Sequence, residues 1–201
     1  MPEQRDTTRP EVSGRMMRYI VSGTPGSGKT TILRELTTQG YEVVDEAATD
    51  VNAEALARGS EQPWTDREFI DRIVALQRQR QEKPAAPGTT VQLYDRSPIC
   101  TLALAHYLGR PVPDALASEV DRVVRDRVYQ RRVFFVRPIG FMTATAIRRI
   151  TLEQSVEFER VHEQVYRAHG YELVDIPNDT IAERAAMVDQ YVRSWSPTPR
   201  D

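Results

Sequence analysis

The sequence predicts an α/β fold: a three-layer domain with a five-stranded parallel sheet and helices on both faces. Short apolar runs of strand length alternate with longer helical patterns along most of the chain. The runs are mostly apolar, which suits a sheet covered on both faces. A glycine-rich turn also joins the first run to the first helical pattern, where parallel α/β domains commonly hold a phosphate group.

Residues 1–17 carry Pro2, Pro10, Gly14 and several charges with almost no apolar periodicity, and read as a flexible leader. The first strand is expected over Tyr19 to Ser22, followed by a helix with Ile32, Leu33 and Leu36 on its apolar side, and the second strand over Tyr41 to Asp45. Thr65 and Glu68 have capping-box spacing ahead of a helix from Asp66 to about Lys83, whose apolar stripe is Phe69, Ile70, Ile73, Val74 and Leu76. Pro84 to Gly88 is a short loop, and Val91 to Tyr94 the third strand. Ser97 and Pro98 supply an N-cap and a proline at the first helical position. A further helix carries Leu116, Val120, Val123, Val124 and Val128, and the fourth strand covers Val133 to Val136. Thr151 with Gln154 opens a helix bearing Leu152, Val156, Val161 and Val165, Tyr171 to Asp175 forms the fifth strand, and Thr180 with Glu183 opens the last helix. Residues 195–201, with Pro197 and Pro199, read as a flexible tail, leaving a single domain over 18–194.

A chain of 201 residues is the size of one domain. Its 27 basic and 29 acidic side chains give a net charge of −2 and a pI near 6.0, which argues against a broad basic face for nucleic acid. Only Lys29 and Lys83 among the basic residues are lysines. The single cysteine, Cys100, has no partner for an internal disulfide, and the first residues lack a basic-plus-apolar signal region, so a reducing, cytoplasmic setting is expected. With a mean hydropathy of −0.52 and no long apolar run, no membrane association is expected.

The strongest motif is Gly23-Thr24-Pro25-Gly26-Ser27-Gly28-Lys29-Thr30, which satisfies GxxxxGK[ST] between an apolar run and a helical pattern. Glycines let backbone N–H groups approach phosphate oxygens, and the helix N-terminus adds its positive dipole end. Lys29 supplies a mobile charge to the β and γ phosphates, Thr30 a hydroxyl to Mg²⁺, and Thr31 is placed beside the α phosphate. The motif implies a P-loop NTPase fold with a nucleoside triphosphate and Mg²⁺ as cofactors.

Ligands of open parallel sheets collect at the carboxyl ends of the strands. After the second strand stands Asp45-Glu46: one carboxylate suits a base taking a proton from a hydroxyl, while either residue equally suits a cap for the next helix, and spacing does not separate the two. After the third strand stands Tyr94-Asp95-Arg96-Ser97, where a carboxylate is positioned to reach Mg²⁺ and an arginine to hold phosphate.

This order of phosphate loop, Glu after the second strand and Asp-Arg-Ser after the third resembles the small P-loop kinases, including deoxynucleoside and nicotinamide riboside kinases, whose bacterial members are often labelled AAA-family ATPases. The run Tyr41-Glu42-Val43-Val44-Asp45-Glu46 is similar to their second-strand segment. The resemblance implies Glu46 as general base, Asp95 with Thr30 as magnesium ligands, and Arg96 as a contact to the reacting phosphate. It also implies an Arg-bearing lid over 138–151. There Arg148 would bind nucleotide and Arg149 act on the transferring phosphate, with Arg137 nearby, although the acidic and glycine residues usual before a lid arginine are missing, which leaves open which of the pair faces the nucleotide. The segment 50–83 would roof an acceptor pocket, with Trp64, Phe69 and Tyr94 available for stacking or for the core. Cys100 reads as a small core residue, and His106, His162 and His169 show no metal-ligand spacing.

The expected function is an ATP- and Mg²⁺-dependent kinase acting on a hydroxyl of a small-molecule acceptor, possessing neither nucleic-acid nor membrane partners. Alternatives are a switch ATPase acting on a protein partner and an antibiotic-phosphorylating enzyme. A homodimer is compatible with the sequence, which does not itself set the oligomeric state.

Overall fold

In the computed structural model, which describes residues 16–66, 68–138 and 152–195, five strands pair in parallel. They are β1 (Met17–Gly23), β2 (Glu42–Val44), β3 (Val91–Asp95), β4 (Arg132–Val136) and β5 (Glu172–Ile176), in the spatial order β2-β3-β1-β4-β5. The chain first moves outward to β2 on one side of β1 and later to β4 on the other. The strand order therefore reverses beside β1, the position where open α/β sheets form a crevice. Register brings Val21 beside Asp95 and Gly23 beside Val136, so the loop after β1, the end of β3 and the end of β4 converge on one edge.

The side-chain period of two sorts the central strand between layers. Ile20 joins Tyr94 and Val133 in packing against α4 (Pro98–Tyr107), α5 (Asp114–Arg125) and α6 (Leu152–Ala168) through Ile99, Leu116, Val120, Val123 and Tyr166. Tyr19 and Val21 join Leu93, Phe134 and Val136 on the other face, against α1 (Lys29–Thr38) and α7 (Ile181–Trp195) through Ile32, Leu33, Leu36, Val188 and Val192. A smaller cluster of Ala47, Val51, Phe69 and Ile73 joins α2 (Ala47–Ala57) to α3 (Phe69–Glu82) beside the sheet.

Local chemistry sets the boundaries. Thr180 accepts a hydrogen bond from the Glu183 N–H (3.3 Å), the forward half of the cap expected there, while its hydroxyl donates to the Glu183 carboxylate (2.5 Å) and its own N–H donates to Asp179 (2.8 Å). The cap expected at Thr65 does not. Thr65 ends a one-turn 3-10 helix (Pro63–Thr65), the Asp66 carboxylate accepts from the Glu68 N–H (3.0 Å), and α3 begins only at Phe69. Ser97 occupies the N-cap position of α4 with Pro98 next, but its hydroxyl lies 3.1 Å from that of Tyr166 instead of capping the helix.

Several sequence expectations are corrected. Val128 lies past the end of α5, beyond a turn in which Arg127 has φ 49°, and Val156 is 61% exposed on α6. Met17 belongs to β1 rather than to a leader, and Trp195 ends α7, stacked on Phe134 (5.4 Å) beneath the Arg132 guanidinium (4.7 Å). The expected leader residues 1–15, lid residues 139–151 with Arg148 and Arg149, and residues 196–201 lie outside the described residues.

Gly23 is fixed by two constraints at once. Its φ is 138°, and a Cβ built there would stand 2.3 Å from the Val136 carbonyl oxygen. Gly23→Ala is expected to destabilise the fold by about 2–5 kcal/mol, the sum of backbone strain and overpacking. Denaturant unfolding would measure this, and an unchanged midpoint would show that β1 and β4 separate easily.

Candidate active site

The loop between β1 and α1 turns on Gly26 (φ 83°) and Gly28 (φ 88°), the latter serving as the N-cap of α1. Both need the left-handed region that glycine adopts without cost from a Cβ. Lys29, the first residue of α1, is buried, and its ammonium donates to the Thr24 carbonyl (2.8 Å) and the Ser27 hydroxyl (3.3 Å). Gly23, Thr24, Pro25, Gly26, Ser27, Gly28, Lys29, Thr30 and Thr31 thus run continuously from the end of β1 through the loop into α1. Burial lowers the Lys29 pKa to about 7; Arg96 lowers it further, and Asp95 and Glu46 oppose the shift.

Asp95 closes β3 directly opposite. Thr30 donates its hydroxyl to Asp95 Oδ2 (3.3 Å), while Oδ1 is buried and has no hydrogen-bond partner. Burial raises the Asp95 pKa, with Lys29 pulling it back down. An exposed hydroxyl beside a carboxylate with a spare buried oxygen is a hard oxygen-donor pair of the kind that suits Mg²⁺.

Arg96 follows at φ 75°, an uncommon conformation for a residue with a side chain, held by its N–H bond to the Val21 carbonyl (3.1 Å). Its Nε stands 2.5 Å from Glu46 Oε1 without the alignment of a hydrogen bond, so the contact is a close ion pair. Burial alone would lower the Arg96 pKa, but Glu46 outweighs it and the net shift is upward. Glu46 sits at the N-cap position of α2, yet its side chain caps no backbone N–H and accepts instead from the Thr49 hydroxyl (2.9 Å). Asp45 is exposed and lines only a small recess, whereas Glu46 lines the main cavity. Of the two carboxylates that spacing left undistinguished, Glu46 is therefore the one that borders the main cavity.

That cavity has a volume of about 780 Å³ and runs from Pro25, Glu46 and Arg96 into a chamber between α2, α3, α4 and α6. Trp64, 42% exposed, and Phe69 line it, as the sequence suggested. Tyr94 does not: it packs edge-on against Tyr129 (5.1 Å) and donates its hydroxyl to Gln92 (3.0 Å). Cys100, expected in the core, is buried yet also lines the cavity, with Sγ 2.8 Å from the Tyr166 hydroxyl. Arg137 is tied to Glu159 and Glu163 on α6 and to Asp175 on β5, which makes it a strut between elements.

Two further residues escaped the sequence reading. His162 lines the cavity, stacks on Phe158 (4.0 Å) and shares a hydrogen bond through Nδ1 with the Phe158 carbonyl (2.8 Å). Burial, with the Arg96 charge, pushes its pKa down to about 3, so the ring is neutral. Arg184 is fully buried on α7 and donates to the Ser27 carbonyl (2.8 Å) and the Arg137 carbonyl (2.6 Å). A signal for it existed, because Arg184 falls in the same helical register as Val188 and Val192.

A family profile described as AAA domain matches residues 18–184. A comparison with curated proteins found none with significant sequence similarity. Among solved structures, deoxyadenosine kinase from M. mycoides superposes with a TM-score of 0.60 at 15% identity, covering 90% of this chain and 100% of that one. NadR protein in complex with NR gives 0.65 at 15% identity over 92% of this chain and 52% of that one. Shikimate kinase from Acinetobacter baumannii gives 0.58 at 14% identity over 90% and 95%. At these identities the likeness is one of fold.

The low Lys29 pKa carries a pH dependence. Only the ammonium form attracts a polyanion, and without one it loses its proton as pH rises through about 7. Affinity for tripolyphosphate or a nucleoside triphosphate should therefore fall toward tenfold per pH unit above that point. Calorimetric titration from pH 6 to 9 checks the slope, and a flat profile would place the Lys29 pKa well above the range.

Proposed function

The chain belongs to the AAA domain family, and from that premise we propose that it is a kinase transferring the γ-phosphate of ATP to a hydroxyl of a small, flat acceptor. The observation that carries this reading is the Glu46–Arg96 pair, which stands where the phosphate loop meets a roofed cavity of about 780 Å³. A carboxylate there faces an incoming hydroxyl, and a guanidinium lies beside the phosphate being passed across. A switch ATPase has no use for a chamber of this size next to its phosphates, which favours transfer to a bound molecule over hydrolysis.

In this mechanism Lys29 and the loop amides bind the phosphates, and Thr30 with Asp95 would hold Mg²⁺, which supplies charge neutralisation between the phosphate oxygens when bound. Glu46 takes the hydroxyl proton as the new bond forms. Its pairing with Arg96 holds the carboxylate at the mouth of the cavity. The walls formed by Trp64, Phe69, Tyr107 and Phe158 orient the acceptor and exclude water, so most of the rate comes from positioning and charge stabilisation. Arg148 and Arg149 complete the reading as the proposed lid arginines, Arg148 on nucleotide and Arg149 on the transferring group.

The lining also bears on the acceptor. Among the described residues around the cavity the charged side chains are Arg96, Glu46 and Glu61, so the one cation is already matched by its ion pair. With aromatic walls and no spare cation among the described residues, the cavity suits a neutral or cationic ring-bearing acceptor better than one carrying phosphate or carboxylate. A nucleoside-like molecule fits that description.

Glu46→Gln is expected to lower the transfer rate by about 10²–10⁴-fold, the usual range for losing a general base, while leaving nucleotide affinity little changed. Unchanged transfer would remove Glu46 from that role. In an acceptor-dependent ADP-release assay, uncharged nucleosides and nicotinamide riboside should stimulate release where thymidylate and shikimate do not. Stimulation only by the anionic compounds would overturn the acceptor class, and stimulation by none of the four would count against the kinase.

A further inference from the structure

The phosphate loop is built to be flexible where it most needs a fixed geometry. The Ser27–Gly28 peptide plane turns about ψ of Ser27 and φ of Gly28, and Gly28, in the left-handed region at φ 88°, puts no Cβ in the way of that rotation. In a trans peptide the C=O and N–H lie in the peptide plane and point in opposite directions, and no cis bond occurs among the described residues. Whatever holds the Ser27 carbonyl outward therefore sets the direction of the Gly28 N–H inward.

The Ser27 carbonyl is held by Arg184, whose Nη1 donates to it at 2.8 Å from α7, far away in sequence. Nη2 donates at 2.6 Å to the Arg137 carbonyl, just past β4. Two bonds from one planar fork fix the guanidinium, which in turn fixes the loop relative to the sheet edge. Arg137 is itself anchored, since its N–H donates to the Ile176 carbonyl (2.9 Å) and its side chain pairs with Asp175 and with two α6 glutamates. Arg184 is fully buried, and burial lowers its pKa. Among the described residues no carboxylate lies within ion-pair reach, and Asp179 acts on it only from a distance. A buried cation held by two carbonyls, with its Nε left without a hydrogen-bond partner, is a poor device for stability, because an apolar residue of similar volume generally serves a core as well or better. It is a good device for holding carbonyls.

We propose that Arg184 is a positioning residue that locks the Ser27–Gly28 peptide plane and so aims the Gly28 N–H at the bound phosphates. This rests on the loop being a nucleotide site and does not depend on the acceptor. The lock acts through the loop backbone, so its loss weakens nucleotide binding rather than the proton transfer at Glu46.

The test compares wild type with Arg184→Met, which keeps length and apolar volume, and Arg184→Lys, which can reach one of the two carbonyls. Affinity for ATP with Mg²⁺ is measured by calorimetry well below the thermal midpoint, alongside the midpoint of the nucleotide-free protein and the ADP-release assay. Arg184→Met should weaken ATP binding by about ten- to hundredfold, the range for losing hydrogen bonds to a charged donor, with Arg184→Lys intermediate. The KM for ATP should rise by the same factor while the acceptor KM changes little. If Arg184→Met lowers the midpoint but binds ATP as wild type does, the residue is structural and the proposal is overturned; should that variant not fold, wild-type affinity in Arg184→Lys overturns it equally. A wild type that binds ATP but transfers to no acceptor defeats the kinase reading and leaves Arg184 to be judged on affinity. A wild type that binds no nucleotide defeats both.

Discussion

The ion pair between Arg96 and Glu46 is the interaction on which the rest of the site depends. Two buried cations, Lys29 and Arg96, and two carboxylates, Asp95 and Glu46, crowd the edge where β1 and β3 end. Isolated burial of any one of them would be costly, and neutralising the group is the usual way out. The four divide this burden unequally. Arg96 keeps its charge because Glu46 is in contact, and the lysine, lacking a contact of that quality, gives up much of its affinity for the proton. Burial raises Asp95 for the same reason. The site therefore has one pair with settled charges and one pair whose protonation an incoming polyphosphate and cation can still shift.

That arrangement needs a backbone able to bring the groups together, and the strain is visible at Arg96. Its φ of 75° turns the chain sharply after Asp95 so that consecutive residues serve two different neighbours, Thr30 for the carboxylate and Glu46 for the guanidinium. The cost is of order 1–3 kcal/mol for a residue held in such a region, and the Val21 carbonyl bond holds the turn in place. Gly23 meets the opposite demand, because β4 approaches so closely there that no side chain fits at all. Both constraints originate in the central strand, which explains why the sheet edge around β1 is the best-determined part of the site.

What the sequence made legible follows the range of each interaction. The five strands and the phosphate loop were readable because apolar runs, glycines and Lys29-Thr30 act within a few residues of one another. Helix starts were readable only where the cap was local: Thr180 and Glu183 bond each other, whereas Asp66 took over from Thr65, and Ser97 turned to Tyr166 across the fold. Asp45 and Glu46 are indistinguishable in spacing, and only Arg96, fifty residues on, shows which one faces the cavity. His162 and Arg184 were missed because their roles consist of contacts across the fold, although a charged residue in the apolar register of α7 was a signal available to the sequence.

Charge is divided across the site in a way that bears on the direction of the proposed reaction. Cations gather on the phosphate side, where Lys29 and Arg96 stand against the loop and the end of β3. Across the cavity the group that might have added another positive charge, His162, cannot do so, because burial and the nearby Arg96 charge hold it neutral down to about pH 3. Its Nδ1 is engaged with the Phe158 carbonyl, and its ring lies against the Phe158 ring, so that it behaves as part of an aromatic wall. Among the described residues, therefore, the positive charge available to a polyanion lies at the loop, and the chamber suits an uncharged acceptor. On the proposed reading, this distribution of charge among the described residues favours the nucleotide on the loop side of Glu46 and an uncharged acceptor on the other.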